Sequence, residues 1–126
     1  MELRWHIEQL NDIAVVRCSG RLVRSTALDD FKGRLERLDT ARILVLDLCG
    51  VERVDAGGIG ILLELRRWAR QHSAQVKVVN PSPFVRRVLE ATHLASMFEI
   101  SSLEQALCIL RAPGGDPAGD RRYAIA

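Results

Sequence analysis

Residues 43–60 have the sequence ILVLDLCGVERVDAGGIG, and this stretch decides the fold. Its first part, from Ile43 to Leu48, is apolar except for Asp47, which is typical of a strand buried on both faces of a sheet. The second part brings three glycines together just before a helical pattern that extends to about His72. In that pattern the apolar residues fall on one face and the charged residues on the other. We therefore predict a buried strand, a tight turn and a long amphipathic helix.

The flanking segments predict further strands and helices in alternation. Residues 2–9 alternate polar and apolar side chains, which indicates a half-exposed strand, and Asn11-Asp12 marks a turn before a β-branched second strand. We expect Gly20 to end that second strand. Further strands are predicted at 76–79 and 97–100, and further helices at 26–38, from 83 and from 101. The helix starts are marked by Thr26 with Asp29, by Ser82 with Pro83, and by the SSLE sequence at 101–104.

The predicted order of elements is β-β-α-β-α-β-α-β-α. Strands that are joined through helices form parallel pairs, whereas the first two strands form an antiparallel hairpin at one edge. The fold class is therefore α/β, with a mixed sheet of about five strands and about four packed helices. Residues 1–111 form the predicted domain. Residues 112–126, APGGDPAGDRRYAIA, combine proline, glycine and charge, and we expect a flexible C-terminal tail.

Composition limits the possible functions. The chain has 126 residues with 48% hydrophobic and 27% charged residues, which are the values of an ordinary single domain. The formal charge of +2 with no clustered basic and aromatic stripe argues against nucleic acid as a partner. No apolar run is long enough for a membrane span and no signal peptide is evident, so we expect a cytoplasmic location. The three cysteines, Cys18, Cys49 and Cys108, are expected to be reduced thiols packed in the core.

The sequence offers no pattern of a catalytic site. The histidines His6, His72 and His93 lack the spacing of metal ligands, and no serine, histidine and aspartate arrangement supports nucleophilic catalysis. The glycines at 57–60 match neither a P-loop nor the GxGxxG fingerprint. We therefore predict no catalytic residues, no metal site and no cofactor, and the more plausible activity is binding of another protein.

The same residues carry a resemblance to a known family. The sequence ILVLDLCGV at 43–51, followed by DAGGIG at 55–60, resembles the centre of STAS domains, the family that includes the anti-sigma factor antagonists. VVNPSP at 78–83, THL at 92–94, MFEI at 97–100 and GRL at 20–22 also resemble segments of that family. The resemblance covers about residues 2–110. It implies a bacterial protein of transcription regulation whose partner is an anti-sigma factor with serine kinase activity.

The resemblance also implies a phosphorylation switch, from which this sequence departs. In such antagonists the partner phosphorylates a serine just before the helix, and phosphorylation abolishes binding. Gly57 occupies that acceptor position and Ala56 the serine position before it. No Ser, Thr or Tyr occurs from Val51 to His72, and Val23 stands where switching members often carry an aspartate. The usual switch is therefore not expected, although Ser25 or Thr26 on a neighbouring loop could be modified.

The predicted partner-binding site covers the loop and helix start at residues 55–63. Its candidate residues are Asp55, Ala56, Gly57, Gly58, Ile59 and Leu63. Asp55 is either an N-cap of the helix or a direct contact for the partner, and the two roles can coexist. The glycines either permit a tight turn, allow a partner backbone to approach, or present amides to an anion. Ile59 and Leu63 lie off the inner face and either pack at the flank or form an apolar patch.

The same predicted helix carries three arginines beyond the candidate site. Arg66, Arg67 and Arg70 form a basic strip that is either a solvated face or a contact for an acidic partner or a phospholipid headgroup.

Three functions remain open for this chain. The predicted function is a non-enzymatic module that binds an anti-sigma factor of the serine kinase type or another regulatory protein. An accessory subunit of a lipid-transport ABC system and a sensor of nucleotides or small ligands are the alternatives. A homodimer is also left open.

Overall fold

The computed structural model describes residues 2–95 and Phe98, and these residues contain seven regular elements. In chain order they are β1 (Arg4–Leu10), β2 (Ile13–Leu22), α1 (Thr26–Leu35), β3 (Ile43–Val54), α2 (Ala56–Gln71), β4 (Gln75–Val79) and α3 (Pro83–Ala91). The order matches the first seven predicted elements. The predicted fourth helix and the tail at 112–126 lie outside the described residues. Of the predicted strand at 97–100, only Phe98 is described, and its carbonyl accepts a hydrogen bond of 3.4 Å from the amide of Val78.

The four described strands form one mixed sheet in the order β1-β2-β3-β4. β1 and β2 are antiparallel and are joined at the predicted turn, where Asn11 adopts a φ of 56°. β2 pairs with β3, and β3 with β4, in parallel. Both parallel connections step in the same direction, so right-handed crossovers place α1 and α2 on the same face of the sheet. The α/β class and the antiparallel edge pair are thereby confirmed.

The core lies between this face of the sheet and the three helices. Alternate strand residues such as Val16 and Leu46, which are partners across β2 and β3, contribute to it together with helix residues such as Phe31, Leu65 and Leu89. Each of these five side chains is at most 1% exposed. Burying a side chain of this size stabilises the fold by roughly 1.5–3 kcal/mol. The apolar face predicted for α2, and the buried residues of α1 and α3, therefore account for how the helices attach to the sheet.

Two predicted strand ends were wrong. β2 continues past Gly20 to Leu22. Gly20 does not end the strand but lies at an irregularity in its pairing with β3, where it adopts a φ of 93° that side chains rarely tolerate. β3 continues past Leu48 to Val54, with a register shift opposite Arg17 and Ser19. A glycine within a strand marked a bulge here rather than the end of the strand. As a result, β3 extends to the N-cap of α2, and β2 ends three residues before the N-cap of α1.

The predicted cap of α1 was displaced by one residue. Ser25, rather than Thr26, caps the helix, and its hydroxyl accepts a hydrogen bond of 3.1 Å from the amide of Leu28. By contrast, Ser82 caps α3 and Pro83 is its first residue, as predicted. The hydroxyl of Ser82 also donates to the carbonyl of Val51 at 2.8 Å, which fixes α3 to the end of β3.

The two described cysteines differ in their surroundings. Cys18 is buried, as predicted, and loss of solvation with the nearby charge of Asp47 raises the pKa of its thiol to about 12. Cys49 is exposed, so the prediction that it packs in the core was wrong. Cys49 alternates with the core residues Leu46 and Leu48 and so faces away from that core, and after Leu48 this side of β3 is exposed. Cys108 lies outside the described residues.

Candidate partner-binding site

Asp55 stands at the junction of β3 and α2 and caps the helix. Its backbone is extended, with φ −114° and ψ −173°, and its Oδ1 accepts a hydrogen bond of 2.9 Å from the amide of Gly58. The side chain remains exposed to solvent. A carboxylate at this position satisfies a free amide of the first turn and interacts favourably with the helix dipole. The N-cap role is therefore present, and the exposed carboxylate leaves the second role, a partner contact, available.

The same carboxylate joins α2 to the loop between β2 and α1. The backbone amide of Arg24 donates to Oδ2 at 3.2 Å and to Oδ1 at 3.3 Å. The amide of Asp55 in turn donates to the carbonyl of Leu22 at 3.3 Å. These bonds hold two surface segments side by side, residues 22–25 and 55–58, which together we call the Asp55 shoulder. Sequence reasoning missed Arg24, because no local pattern indicates a contact between residues 31 positions apart.

The hydrogen bonds on Asp55 favour its charged form. The amide of Gly58 is the largest influence that lowers the pKa of this carboxyl below its usual value of 3.8, and the amides of Arg24 and Gly57 act in the same direction. The charge of the Arg24 side chain also lowers the pKa, whereas partial loss of solvation opposes these effects. The shoulder therefore presents a fixed negative charge at neutral pH.

The two adjacent glycines of the shoulder have different surroundings. A Cβ atom on Gly58 would overlap the carbonyl oxygen of Leu22 and would lie 2.8 Å from Cγ2 of Val54. A Cβ atom on Gly57 would lie 3.0 Å from the Cβ of Arg24 and 3.2 Å from both its Cα and Oδ1 of Asp55, which is tighter than an ordinary contact. Gly58 is thus required by close packing of two backbones. Gly57 is half-buried, and a side chain there requires the loop at Arg24 to give way by a few tenths of an ångström.

Two hydroxyls lie in and next to the shoulder at the start of α1, those of Ser25 and Thr26. Ser25 Oγ donates to the carbonyl of Val23 at 3.0 Å while it accepts from the amide of Leu28. Its hydroxyl is therefore occupied by local hydrogen bonds. Thr26 is exposed on the first turn of α1, and Val23 is half-buried. Both hydroxyls lie on the loop predicted to neighbour the site, and no contact of the structure assigns them a further role.

Ile59 and Leu63 lie on the flank of α2 between the core and solvent. Both are half-buried and pack against the edge of the core, whereas Ile61, Leu62 and Leu65 are fully buried. Ala56 is exposed at the helix start. The structure therefore places all six candidate residues at one end of α2 and along one flank. Flank packing and a partly exposed apolar patch describe the same two side chains.

Two other kinds of site are not found in the part of the chain that the structure describes. Across residues 2–95 and Phe98, no group of three or more His, Cys, Asp and Glu side chains is arranged to hold a metal ion. Among the same residues, no helix is both long and apolar enough to cross a membrane.

Comparison with known proteins assigns the family. The family model described as "STAS domain" matches residues 4–106. The chain belongs to the STAS domain family. A STAS-domain containing protein of Pseudomonas aeruginosa strain UCBPP-PA14 is 37% identical over 76 residues, which are 60% of this chain and 75% of that protein.

Solved structures show the same fold. An anti-sigma factor antagonist from Mycobacterium paratuberculosis matches with a TM-score of 0.72 and 25% identity, over 88% of this chain and 96% of that chain. The unphosphorylated anti-sigma factor antagonist SpoIIAA matches with a TM-score of 0.73 and 19% identity, over 83% and 94%. A sulfate transporter family protein from Wolinella succinogenes matches with a TM-score of 0.67 and 14% identity, over 77% and 83%. This STAS domain therefore resembles anti-sigma factor antagonists, although the fold is also found in a transporter family.

Proposed function

We propose that this STAS domain is a non-enzymatic regulatory protein that binds an anti-sigma factor of the serine kinase type through the Asp55 shoulder and the flank of α2 to Leu63. The observation that carries the proposal is the shoulder itself, where Asp55 holds two loops together and leaves Ala56 and Gly57 at the surface. A rigid surface of this kind needs little ordering when a partner binds, which favours affinity. The likeness to anti-sigma factor antagonists supports this class of partner.

We further propose that binding here is not switched off by phosphorylation of the helix start. The position expected to accept phosphate is Gly57, and α2 contains no hydroxyl-bearing residue. The nearest serine, Ser25, uses its hydroxyl to cap α1. Without an acceptor, the shoulder keeps one charge state, so the protein would bind its partner constitutively. We expect this binding to take place in the cytoplasm.

Substitution of Gly57 tests the proposed surface. The full chain is used as bait in an extract of its source organism, together with the variants Gly57→Ala, Gly57→Gln and Gly57→Glu. Gly57→Ala adds only the Cβ and Gly57→Gln adds bulk without charge, so they are matched controls for Gly57→Glu, which imitates a phosphate. We expect a kinase-type anti-sigma factor to be retained by the parent and by Gly57→Ala, and its affinity for Gly57→Glu to fall at least tenfold.

Two results would contradict the proposal. Equal binding of the same protein by the parent and by Gly57→Glu would exclude the shoulder as the interface. Retention of a transporter ATPase in place of an anti-sigma factor would favour the accessory-subunit alternative.

The absence of the switch has its own test. The purified anti-sigma factor and ATP are added to the parent and to Gly57→Ser, and phosphate incorporation is followed by mass spectrometry. We expect no phosphate on the parent and one phosphate on Gly57→Ser, because the added hydroxyl lies at the surface beside Arg24. Phosphorylation of the parent at Ser25 or Thr26 would show that the switch has moved to α1.

A further inference from the structure

The exposed flank of α2 continues beyond Leu63 as a row of arginines. Arg67 and Arg70 are exposed and Arg66 is half-buried. Together with Leu63 and Gln71 they line a shallow depression on the surface. We call Arg66, Arg67 and Arg70 the arginine stripe.

The stripe carries a positive charge for which the described part of the chain provides no paired carboxylate. Glu64 is the single carboxylate of α2, and it points to α1, where its Oε1 lies 3.5 Å from Nζ of Lys32. Across residues 2–95 and Phe98, no carboxylate lies within 4.0 Å of the three guanidinium groups. Arg66 and Arg70 are four residues apart, a spacing at which like charges destabilise a helix. The helix dipole compensates for Arg70 in the last turn only.

The stripe and the proposed binding site form one continuous surface. Ile59, Leu63, Arg66 or Arg67, and Arg70 follow one another at steps of three or four residues, so they lie on one face of the helix. This face lies beside the buried side formed by Leu62, Leu65 and Ala69, about a third of a turn around the helix. From Ala56 to Arg70 the surface extends about 21 Å at a rise of about 1.5 Å per residue. It is apolar near the shoulder and basic at the far end.

We propose that the arginine stripe binds an acidic segment of the same protein partner, one that lies along α2 with apolar side chains towards Leu63 and carboxylates towards Arg70. This inference rests on the proposed function and specifies the chemistry of the partner. The planar guanidinium group of arginine matches a carboxylate with two parallel hydrogen bonds, which suits recognition of Asp and Glu side chains. A surface one helix wide, with apolar and basic ends, fits a helical segment better than the broad plane of a membrane.

The first test uses a probe that does not require the partner. Poly-L-glutamate is titrated into the isotope-labelled full chain at low ionic strength, and the backbone amide resonances are followed by NMR. We expect the largest shifts at residues 63–71, and we expect these shifts to disappear as salt is raised. The double variant Arg66→Glu with Arg67→Glu should lose them. The matched control, Arg34→Glu with Arg37→Glu, makes the same charge change at two exposed positions on and just after α1 and should keep them.

Several outcomes of this test would overturn the proposal. Shifts spread over the whole surface, or shifts that survive in the Arg66/Arg67 variant, would show that the stripe has no special affinity for carboxylates. Stronger binding to phosphatidylglycerol vesicles than to poly-L-glutamate, lost in the same variant, would assign the stripe to a membrane surface. If the double variant Arg66→Glu with Arg67→Glu does not fold, the double variant Arg66→Gln with Arg67→Gln is used in its place, because it removes both charges without reversing them.

The second test separates this inference from the proposed function. Affinity for the anti-sigma factor is measured for the parent, for Gly57→Glu and for the two charge-reversed double variants. We expect at least a tenfold loss for the Arg66/Arg67 variant, and less than a twofold change for the Arg34/Arg37 variant. A loss with Gly57→Glu but not with the Arg66/Arg67 variant would refute the stripe alone. No loss with Gly57→Glu would refute the proposed function, while the glutamate titration would still decide the chemistry of the stripe.

Discussion

The starts of α1 and α2 lie beside each other, yet their N-cap residues make different hydrogen bonds. Ser25 caps α1 through bonds within its own loop, from the amide of Leu28 and to the carbonyl of Val23. Asp55 caps α2 and also accepts from the amide of Arg24, 31 residues away. The first cap stabilises only its helix, whereas the second also fixes the position of the neighbouring loop. The comparison indicates that the tertiary contacts of the shoulder depend mainly on the β3–α2 junction.

The largest effect is expected where the first turn of α2 packs against the end of β2. Gly58→Ala would force the backbone of Leu22 away, and such overpacking costs about 1–3 kcal/mol. Gly60→Ala is the matched control, because nothing lies within 4 Å of its added Cβ and alanine favours a helix by about 0.5–1 kcal/mol. Urea unfolding should therefore show one variant destabilised and the other stabilised. Equal stabilities would disprove the close approach of the two segments.

The next largest effect is expected at Asp55, the cap that also bonds the loop after β2. Asp55→Ala removes both the N-cap of α2 and the acceptor for the Arg24 amide, so we expect a loss of about 2 kcal/mol in the free energy of unfolding. Hydrogen exchange at the amide of Arg24 should accelerate in the same variant. Unchanged exchange at Arg24 would show that the carboxylate does not hold the loop.

A smaller effect is expected at the local cap. Ser25→Ala removes a single N-cap bond and should lower the free energy of unfolding by about 1 kcal/mol. Ser25→Asp, which restores an acceptor at the cap, is the control and should recover most of this loss. If Ser25→Ala costs as much as Asp55→Ala in urea unfolding, the distinction between a local and a cross-linking cap is wrong.

The smallest effect is the pH dependence of the Asp55 cap. Its pKa in the folded state is lowered by the Gly58 amide first and by the Arg24 amide, so the charged carboxylate favours the fold. This contribution is complete above the usual value of 3.8 and is lost as the pH falls through the lower folded value. The stability difference between the parent and Asp55→Asn should therefore be constant from about pH 5 to 7 and shrink at more acidic pH. An Asp55 carboxyl that titrates by NMR at or above 3.8 would contradict this sign.

Local patterns were sufficient for most of the elements. The apolar run at 43–48, the helical stripe of α2 and the start of α3 at Ser82 and Pro83 were each predicted from neighbouring residues. They could be predicted because strand alternation, helix periodicity and caps depend on residues close in sequence. The ends of β2 and β3 were missed because a bulge depends on how a strand pairs with its neighbour. In the sequence, a glycine at a bulge looks the same as a glycine at the end of a strand.

The candidate site was predicted as a segment, but its construction was not. The sequence indicated Asp55 as a cap, which is present, but it also indicated the glycines as a tight turn, whereas Gly57, Gly58 and Gly60 lie inside α2. Neither the Arg24 contact nor the difference between Gly57 and Gly58 could be inferred, because both depend on how closely the loop after β2 approaches. The exposure of Cys49 was missed because the sequence does not show how far along β3 the second side of the sheet is covered.

By itself, the sequence determined the α/β class, the order of the described elements and the position of the helix start that carries the candidate site. These properties follow from hydrophobic periodicity and capping, which act over a few residues. Only the tertiary structure decided that Asp55 holds the loop after β2 against the start of α2, that Gly58 is required by packing, and that Glu64 turns to Lys32, so that among the described residues no carboxylate pairs with the arginine stripe. Contacts of this kind join residues distant in the chain, and their existence depends on distances that no local pattern encodes.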